Sequence, residues 1–253
     1  MKQRIALITG ATAGIGFETA KILSENHFNL IITGRRQDRL EKIQQELENE
    51  NCQVQSLCFD VRRKTEVDQA LASLTEDWKK VDILVNNAGL AAGLDPVNQA
   101  NVDDWEAMID TNIKGLLYMT REVSNWMIAR QQGHILNISS IAGVQTYPNG
   151  SVYCATKHAV NAISKAMRIE LAPHNIKVGT ISPGAIETEF SLVRFKGDQE
   201  QAAKVYEGFT PLSARDIAES IYFVLSRPAH VNIDDLLIMP TAQASARDIF
   251  RKD

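Results

Sequence analysis

The feature that most restricts how this chain can fold is a repeated alternation of short apolar runs with helix-like stretches. The apolar runs occupy Ile5–Thr9, Asn29–Thr33, Gln53–Phe59, Ile83–Asn86, His134–Ile138, Lys177–Ile181 and Leu236–Met239. Several are apolar almost throughout rather than at every second position, the pattern of strands covered on both faces. Between them, helical periodicity predicts helices over Glu18–Glu25, Arg39–Asn49, Glu66–Trp78, Val102–Arg130, Ser151–Leu171 and Asp216–Ser226. Strand and helix in this order predict a doubly wound α/β fold, a seven-stranded, mostly parallel sheet with helices on both faces. No repeat, low-complexity segment or Pro/Gly-rich linker interrupts it, so residues 1–253 read as a single domain. The irregular stretch from Pro183 to about Pro211 is rich in charge and glycine and follows a strand end, the rim where such sheets take ligands. Residues 184–211 are therefore expected to form a substrate lid.

Composition excludes some partners. Twenty-seven basic and 31 acidic residues, net charge −4, are spread along the chain, without the single-sign field that nucleic acid or an acidic membrane would favour. The apolar run after Met1-Lys2-Gln3-Arg4 is too short for a signal-peptide core or a membrane span, as is every later one, which predicts a cytoplasmic protein. Cys52, Cys58 and Cys154 form neither an even set nor a Cys-x-x-Cys pair, so buried or half-buried free thiols are expected, with no disulfide framework and no metal site.

Directly after the first strand comes Thr9-Gly10-Ala11-Thr12-Ala13-Gly14-Ile15-Gly16, and a helix opens at Phe17-Glu18. Glycines there permit a tight turn and close backbone approach, so the free N–H groups and dipole of a helix can meet a pyrophosphate. The spacing Gly-x-x-x-Gly-x-Gly in a strand-turn-helix context points to a Rossmann-type dinucleotide site. At the end of the second strand, where an NAD site typically carries an acidic residue, this chain has Thr33-Gly34-Arg35-Arg36. A guanidinium pairs with a ribose 2′-phosphate where a carboxylate would repel it, which favours NADP. The other reading of Arg35 and Arg36 is as solvated loop charges, like Arg39 just beyond. Asp60-Val61, ending the third strand, is placed to meet the adenine, although a lone Asp there also reads as a helix cap.

Tyr153 and Lys157 lie four residues apart in a helical pattern and share a face, bringing an ammonium near a phenol whose unperturbed pKa is about 10. A nearby positive charge favours the phenolate, so Lys157 is expected to make Tyr153 a working acid or base. Ser140 follows the strand His134–Ile138, thirteen residues before the tyrosine, where its hydroxyl can serve a carbonyl oxygen or cap a helix. No His/Asp relay or Gly-x-Ser-x-Gly elbow accompanies it, which argues against a nucleophilic serine.

In these motifs, with Asn86-Asn87-Ala88-Gly89, Asn112 and Pro183-Gly184-Ala185-Ile186-Glu187-Thr188, the whole chain resembles the short-chain dehydrogenase/reductase family. The resemblance implies hydride transfer between NADP and an alcohol or carbonyl, with catalytic Asn112, Ser140, Tyr153 and Lys157. Tyr153 would exchange the proton of the substrate oxygen and Ser140 would orient that oxygen. Lys157 would lower the tyrosine pKa and grip the nicotinamide ribose, while Asn112 would hold a water linking the lysine to solvent. Cofactor contacts would come from Gly10, Thr12, Gly14, Ile15, Gly16, Arg35, Arg36, Asp60, Val61, Asn87, Tyr153 and Lys157. The Pro183–Thr188 loop, through Pro183, Gly184, Ile186 and Thr188, would cover the nicotinamide.

The lid residues Thr188 to Asp198 and the tail from Pro228 are similar to those of the NADP-dependent 3-hydroxy acid dehydrogenase subfamily, which implies serine, allo-threonine or 3-hydroxypropanoate as substrate type. Arg194 and Lys196 in such a lid suit a short acid, and Arg194 is the candidate clamp for its carboxylate, beside Ser140 and Tyr153. A ketone or 3-oxoacyl reductase, an NADP-sensing scaffold and a hydrolase are the other readings. The complete set of four catalytic residues speaks against the scaffold, and the lack of a histidine partner for serine against the hydrolase. The long helices Val102–Arg130 and Ser151–Leu171 are similar to those through which the family assembles, which implies a homotetramer.

Overall fold

All four residues of the first strand, β1 (Ile5–Ile8), are buried. Ala6 and Ile8 enter one apolar layer and Ile5 and Leu7 the other, so the strand is apolar without alternation because both its faces are covered. The computed structural model describes residues 3–252; Met1 and Lys2 of the N-terminal stretch, and Asp253, lie outside the described residues. After β1 the chain forms α1 (Gly14–Glu25), β2 (Asn29–Gly34), α2 (Gln37–Leu47), β3 (Val54–Cys58), α3 (Lys64–Ala72) and β4 (Val81–Asn86). Then come α4 (Val102–Ile109), a π-helical turn (Asp110–Gly115), α5 (Leu116–Arg130), β5 (Gly133–Ile138) and α6 (Ser151–Leu171). The chain ends through β6 (Ile176–Pro183), α7 (Glu189–Arg194), α8 (Gln199–Lys204), α9 (Ala214–Leu225) and β7 (Asp235–Ile238).

The strands make one sheet in the order β3-β2-β1-β4-β5-β6-β7, and every pairing is parallel. Helices α1, α2 and α9 bury their apolar faces on one side through residues such as Leu23, Leu40 and Ile221. On the other side α3, α5 and α6 do so through Val67, Met119 and Val160. At roughly 1.5–3 kcal/mol for each large apolar side chain fully removed from water, these two layers are the main source of stability.

A buried polar chain ties α6 to the sheet. The Asn86 amide donates to Thr120 Oγ1 (2.9 Å) and to Asn137 Oδ1 (2.8 Å), and the Asn137 amide donates to Ser164 Oγ (2.8 Å). Buried polar groups are costly unless paired, so this run of bonds favours one register of α6 against β4 and β5. The helix that carries Tyr153 and Lys157 is thereby aligned with the strand ends.

Three expectations change. Val102–Arg130 is interrupted by the π turn, and the stretch read as irregular after Pro183 contains α7 and α8, capped by the Thr188 and Asp198 side chains. Cys52 and Cys154 are buried, whereas Cys58, expected to be at least half-buried, is exposed; all three are free thiols. No helix among the described residues is long and apolar enough to cross a membrane.

His134, on β5, is 2% exposed and neither of its ring nitrogens has a hydrogen-bond partner. Burial, with the charges of Lys177 and Arg4, holds its pKa down at about 3 against an ordinary 6.5. Below pH 6.5 the unfolded chain gains a proton that the folded chain refuses until about pH 3. Stability therefore falls as pH drops through this window, at up to about 1.4 kcal/mol per unit and by roughly 4–5 kcal/mol in all. His134→Leu is expected to remove that slope from denaturant-unfolding free energies measured between pH 6.5 and 4; an unchanged slope would refute the assignment.

Candidate active site

The glycine turn between β1 and α1 is held by its neighbours. Thr9 Oγ1 accepts from the backbone N–H of Asn87 (3.0 Å) and Ala88 (2.9 Å), while the Asn87 amide donates to the carbonyls of Thr9 (2.9 Å) and Gly10 (3.1 Å). Gly10 and Gly14 have φ of +67° and +54°, which only glycine adopts cheaply. A Cβ on Gly16 would sit 2.4 Å from the Gly10 carbonyl oxygen and 2.5 Å from Asn87 Nδ2, so α1 can start close against the turn only with glycine there.

An open groove of about 350 Å³ runs along these strand ends. It is lined by the expected cofactor residues Gly10, Thr12, Gly14, Ile15, Arg35, Arg36, Asp60, Val61, Asn87, Tyr153, Lys157, Pro183, Gly184, Ile186 and Thr188, together with Ser140. Gly16 lies behind the turn, and Asn112 and Arg194 stand outside the lining. The groove fits a dinucleotide phosphate. The cap residue of α1, Ala13, makes no side-chain cap bond and the first turn carries no acid, so its free N–H groups are available to an anion. A Cβ on Gly14 would come within 3.4 Å of Thr188 Cγ2, so glycine keeps the gap to the overlying segment open.

At one end of the groove Arg35 is exposed without an ion pair, whereas Arg36 donates through Nη2 to Thr12 Oγ1 (2.8 Å) and through Nη1 to Glu189 (3.1 Å). Asp60 is clasped by Arg62 at 2.5–3.0 Å and accepts its backbone N–H. Burial alone would raise the Asp60 carboxyl, but the bonds and charge of Arg62, with Arg35 beyond, bring it below the ordinary range. Asp60 thus lines the groove as a carboxylate already spent on its neighbour.

At the other end stand Tyr153 and Lys157, 7% and 5% exposed. The Lys157 ammonium donates to the Ile138 carbonyl (2.9 Å), which leaves donors directed at the groove, and burial lowers its pKa to about 8. Burial pushes Tyr153 up to about 12; the Arg194 charge is the foremost influence pulling it back, and a Ser140 hydrogen bond also lowers it. Lys157 Nζ stands 5.9 Å from the tyrosine ring centre. Ser140 accepts from the Ala142 N–H (3.1 Å), capping a short 3-10 turn, and also lines the groove.

Asn112 lies in the π turn, where the widened helix turns its amide inward. Its Oδ1 accepts from the Leu90 N–H (2.9 Å), and its Nδ2 donates to the Leu90 carbonyl (2.9 Å) and Thr156 Oγ1 (3.0 Å). The amide therefore pins the segment after β4 to α6, one residue from Lys157.

Over Tyr153 lies α7. The Phe190 ring is 5.7 Å from that of Tyr153, and the Arg194 guanidinium stands 5.0 Å from the Tyr153 ring centre and 5.3 Å from that of Phe190. Arg194 Nη2 donates to Tyr147 Oη (2.9 Å), and Arg194 Nε is buried with no partner. Lys196, expected to share the work of Arg194, is instead paired with Asp104 at 2.9 Å. Tyr147, Phe190, Glu189 and Arg39 had no signal of their own in the sequence; only knowledge of which residues α7 faces brings them in.

Comparison with known proteins gives the same picture. The family model for short chain dehydrogenase matches residues 4–198. The chain is 47% identical over 244 residues to the NADP-dependent 3-hydroxy acid dehydrogenase of Escherichia coli K12, covering 96% of this chain and 97% of that protein. With the NADP-dependent 3-hydroxy acid dehydrogenase of Schizosaccharomyces pombe it is 42% identical over 248 residues, 97% of this chain and 96% of that one. Among solved structures, the closed form of serine dehydrogenase complexed with NADP+ superposes with a TM-score of 0.92 at 45% identity, covering 98% of this chain and 100% of the other.

Proposed function

The chain belongs to the short-chain dehydrogenase family, and on that footing we propose that it is an NADP-dependent oxidoreductase acting at the C3 alcohol or carbonyl of a short 3-hydroxy acid of the serine, allo-threonine or 3-hydroxypropanoate type. The observation that carries the substrate class is Arg194. Its guanidinium lies on the Tyr153 ring with a buried, unpartnered Nε, which is the donor a carboxylate needs two carbons from the reacting centre. An apolar 3-oxoacyl chain would leave that donor unsatisfied, which disfavours the reductase alternative.

A nicotinamide held in the groove would supply or accept the hydride. The chain's own residues do the rest. Tyr153 Oη gives the proton to the carbonyl oxygen in reduction and takes it from the alcohol in oxidation, and the Ser140 hydroxyl holds that oxygen in line. Lys157 offers its spare N–H donors to the ribose. Asn112 holds the segment after β4 against α6, and so keeps Lys157 on its line to solvent. Arg35 and Arg36 take the 2′-phosphate, the α1 turn the pyrophosphate, Asp60 and Val61 the adenine edge, and the Pro183–Thr188 loop the nicotinamide. The reading treats the chain as one domain in which residues 184–211, with α7 and α8, are the substrate lid.

The reading includes a cytoplasmic homotetramer. Supporting it are the exposed apolar residues Val102, Ile109 and Leu117, at intervals of seven and eight along α4 and α5, and Ile169 at 78% exposure on α6. An apolar stripe on a helix is ordinarily covered.

Purified protein is expected to reduce NADP with L-serine, L-allo-threonine and 3-hydroxypropanoate, with kcat/KM at least about tenfold above that for neutral secondary alcohols and above the same reactions with NAD, given the strength of charge-assisted contacts. Turnover of neutral alcohols alone would overturn the acid assignment and keep the dehydrogenase.

A further inference from the structure

The lid is fastened at both ends of α7. At its N-terminal end the Glu189 carboxylate bridges Arg36 of the cofactor groove and Arg39 of α2: Oε2 accepts from Arg36 Nη1 (3.1 Å) and Oε1 from Arg39 Nη1 (2.8 Å). These residues are 150 or more positions apart in sequence, and the bridge reaches from the lid across the groove to α2. Arg36 is further held by Thr12, whose Oγ1 accepts from both its Nη2 (2.8 Å) and its Nε (3.3 Å). One arginine thus links the glycine turn, the second strand end and the lid. Glu189 offers two anionic oxygens to two guanidinium groups, the same chemistry a phosphate monoester offers.

We propose that Glu189 is an internal occupant of the 2′-phosphate pocket, which the 2′-phosphate of NADP displaces from Arg36 and Arg39. This rests on the reading of the Arg35-Arg36 end of the groove as the 2′-phosphate site. Two consequences follow. Arg39, which sequence reasoning treated as a solvated charge, is a third arginine of that pocket. Glu189 sets cofactor preference from within the lid, because its negative charge must leave the arginines before a 2′-phosphate can use them. A dinucleotide without that phosphate leaves the bridge in place. The carboxylate is held ionised, below its ordinary pKa, chiefly by the Arg39 hydrogen bond, so the competition is between anions across the neutral range.

The test is equilibrium binding by calorimetry, with adenosine 2′,5′-bisphosphate and 5′-AMP as probes that carry or lack the 2′-phosphate. Wild-type protein is expected to bind the bisphosphate more tightly; equal affinities would overturn the 2′-phosphate reading itself. In Glu189→Gln the bisphosphate is expected to bind about three- to tenfold more tightly, several-fold because half-exposed ion pairs are individually weak, while 5′-AMP changes less than about twofold. In Arg39→Met the bisphosphate is expected to bind about three- to tenfold more weakly, again with 5′-AMP little changed. If wild type prefers the bisphosphate and Glu189→Gln leaves its affinity unchanged or lowers it, the displacement is wrong though the site stands. Unchanged bisphosphate affinity in Arg39→Met would remove Arg39 from the pocket.

Discussion

Tyr153→Phe is expected to lower kcat by about 10³-fold or more while NADP binding stays within about threefold, because positioned proton transfer contributes on the order of 10²–10⁴. The substitution removes one oxygen and keeps the ring that packs 5.7 Å from Phe190, so the fold and the lid contact survive. What is lost is the hydroxyl on which a Ser140 hydrogen bond and the Arg194 charge both act. Burial raises this phenol to about 12, so near neutrality it is protonated and suited to donate in reduction. Oxidation needs the phenolate, and its rate should therefore climb with pH in the wild type and lose that climb in the variant. Steady-state kinetics across pH 6–10, with NADP affinity read by fluorescence titration, check both halves. A variant retaining more than about a tenth of wild-type kcat would remove Tyr153 from the chemistry.

Arg194→Met is expected to reduce kcat/KM for 3-hydroxy acids by about 10²–10³, the cost of leaving a carboxylate without its buried guanidinium partner. Neutral alcohols should lose less than about tenfold, and that loss has a separate origin. Arg194 is the main charge pulling the Tyr153 pKa down, so removing it raises the phenol further and displaces the oxidation profile to higher pH for every substrate. Arg194→Lys separates the two effects. It restores a positive charge near the ring without the planar fork, so the pH profile should return towards wild type while acid turnover recovers only in part. Equal losses on acids and neutral alcohols in Arg194→Met would show that the residue tunes the tyrosine and does not hold the substrate.

The sequence was legible where burial imposes a pattern. β1 is covered on both faces, and its four residues are accordingly apolar without a break. Tyr153 and Lys157 were legible because four residues is one helical turn, and the Arg35-Arg36 pair because the strand end it follows was already in view. What stayed hidden depends on contacts between distant segments or on elements too short for periodicity. Helices α7 and α8 have six residues each, under two turns, and their caps look like any loop Thr or Asp. The π turn at Asn112 changes the helical period over six residues, less than a pattern needs to reveal it. The packing of α7 sets Arg194 against the ring face of Tyr153, a contact between distant segments that the four-residue spacing of Tyr153 and Lys157 does not announce.

The strand order has a consequence for how the chain is made. β1 lies inside the sheet, with β2 on one side and β4 on the other. The second neighbour is Val81–Asn86, some seventy residues downstream of Ile8. At synthesis rates of about 5–20 residues per second, β1 waits roughly 4–15 s on the ribosome with the backbone N–H and C=O groups of one edge unpaired. A newly made chain with residues 1–80 exposed thus offers an aggregation-prone template that the finished protein conceals. Chaperone demand should accordingly concentrate in that early interval, well before the lid and the catalytic helix have been translated.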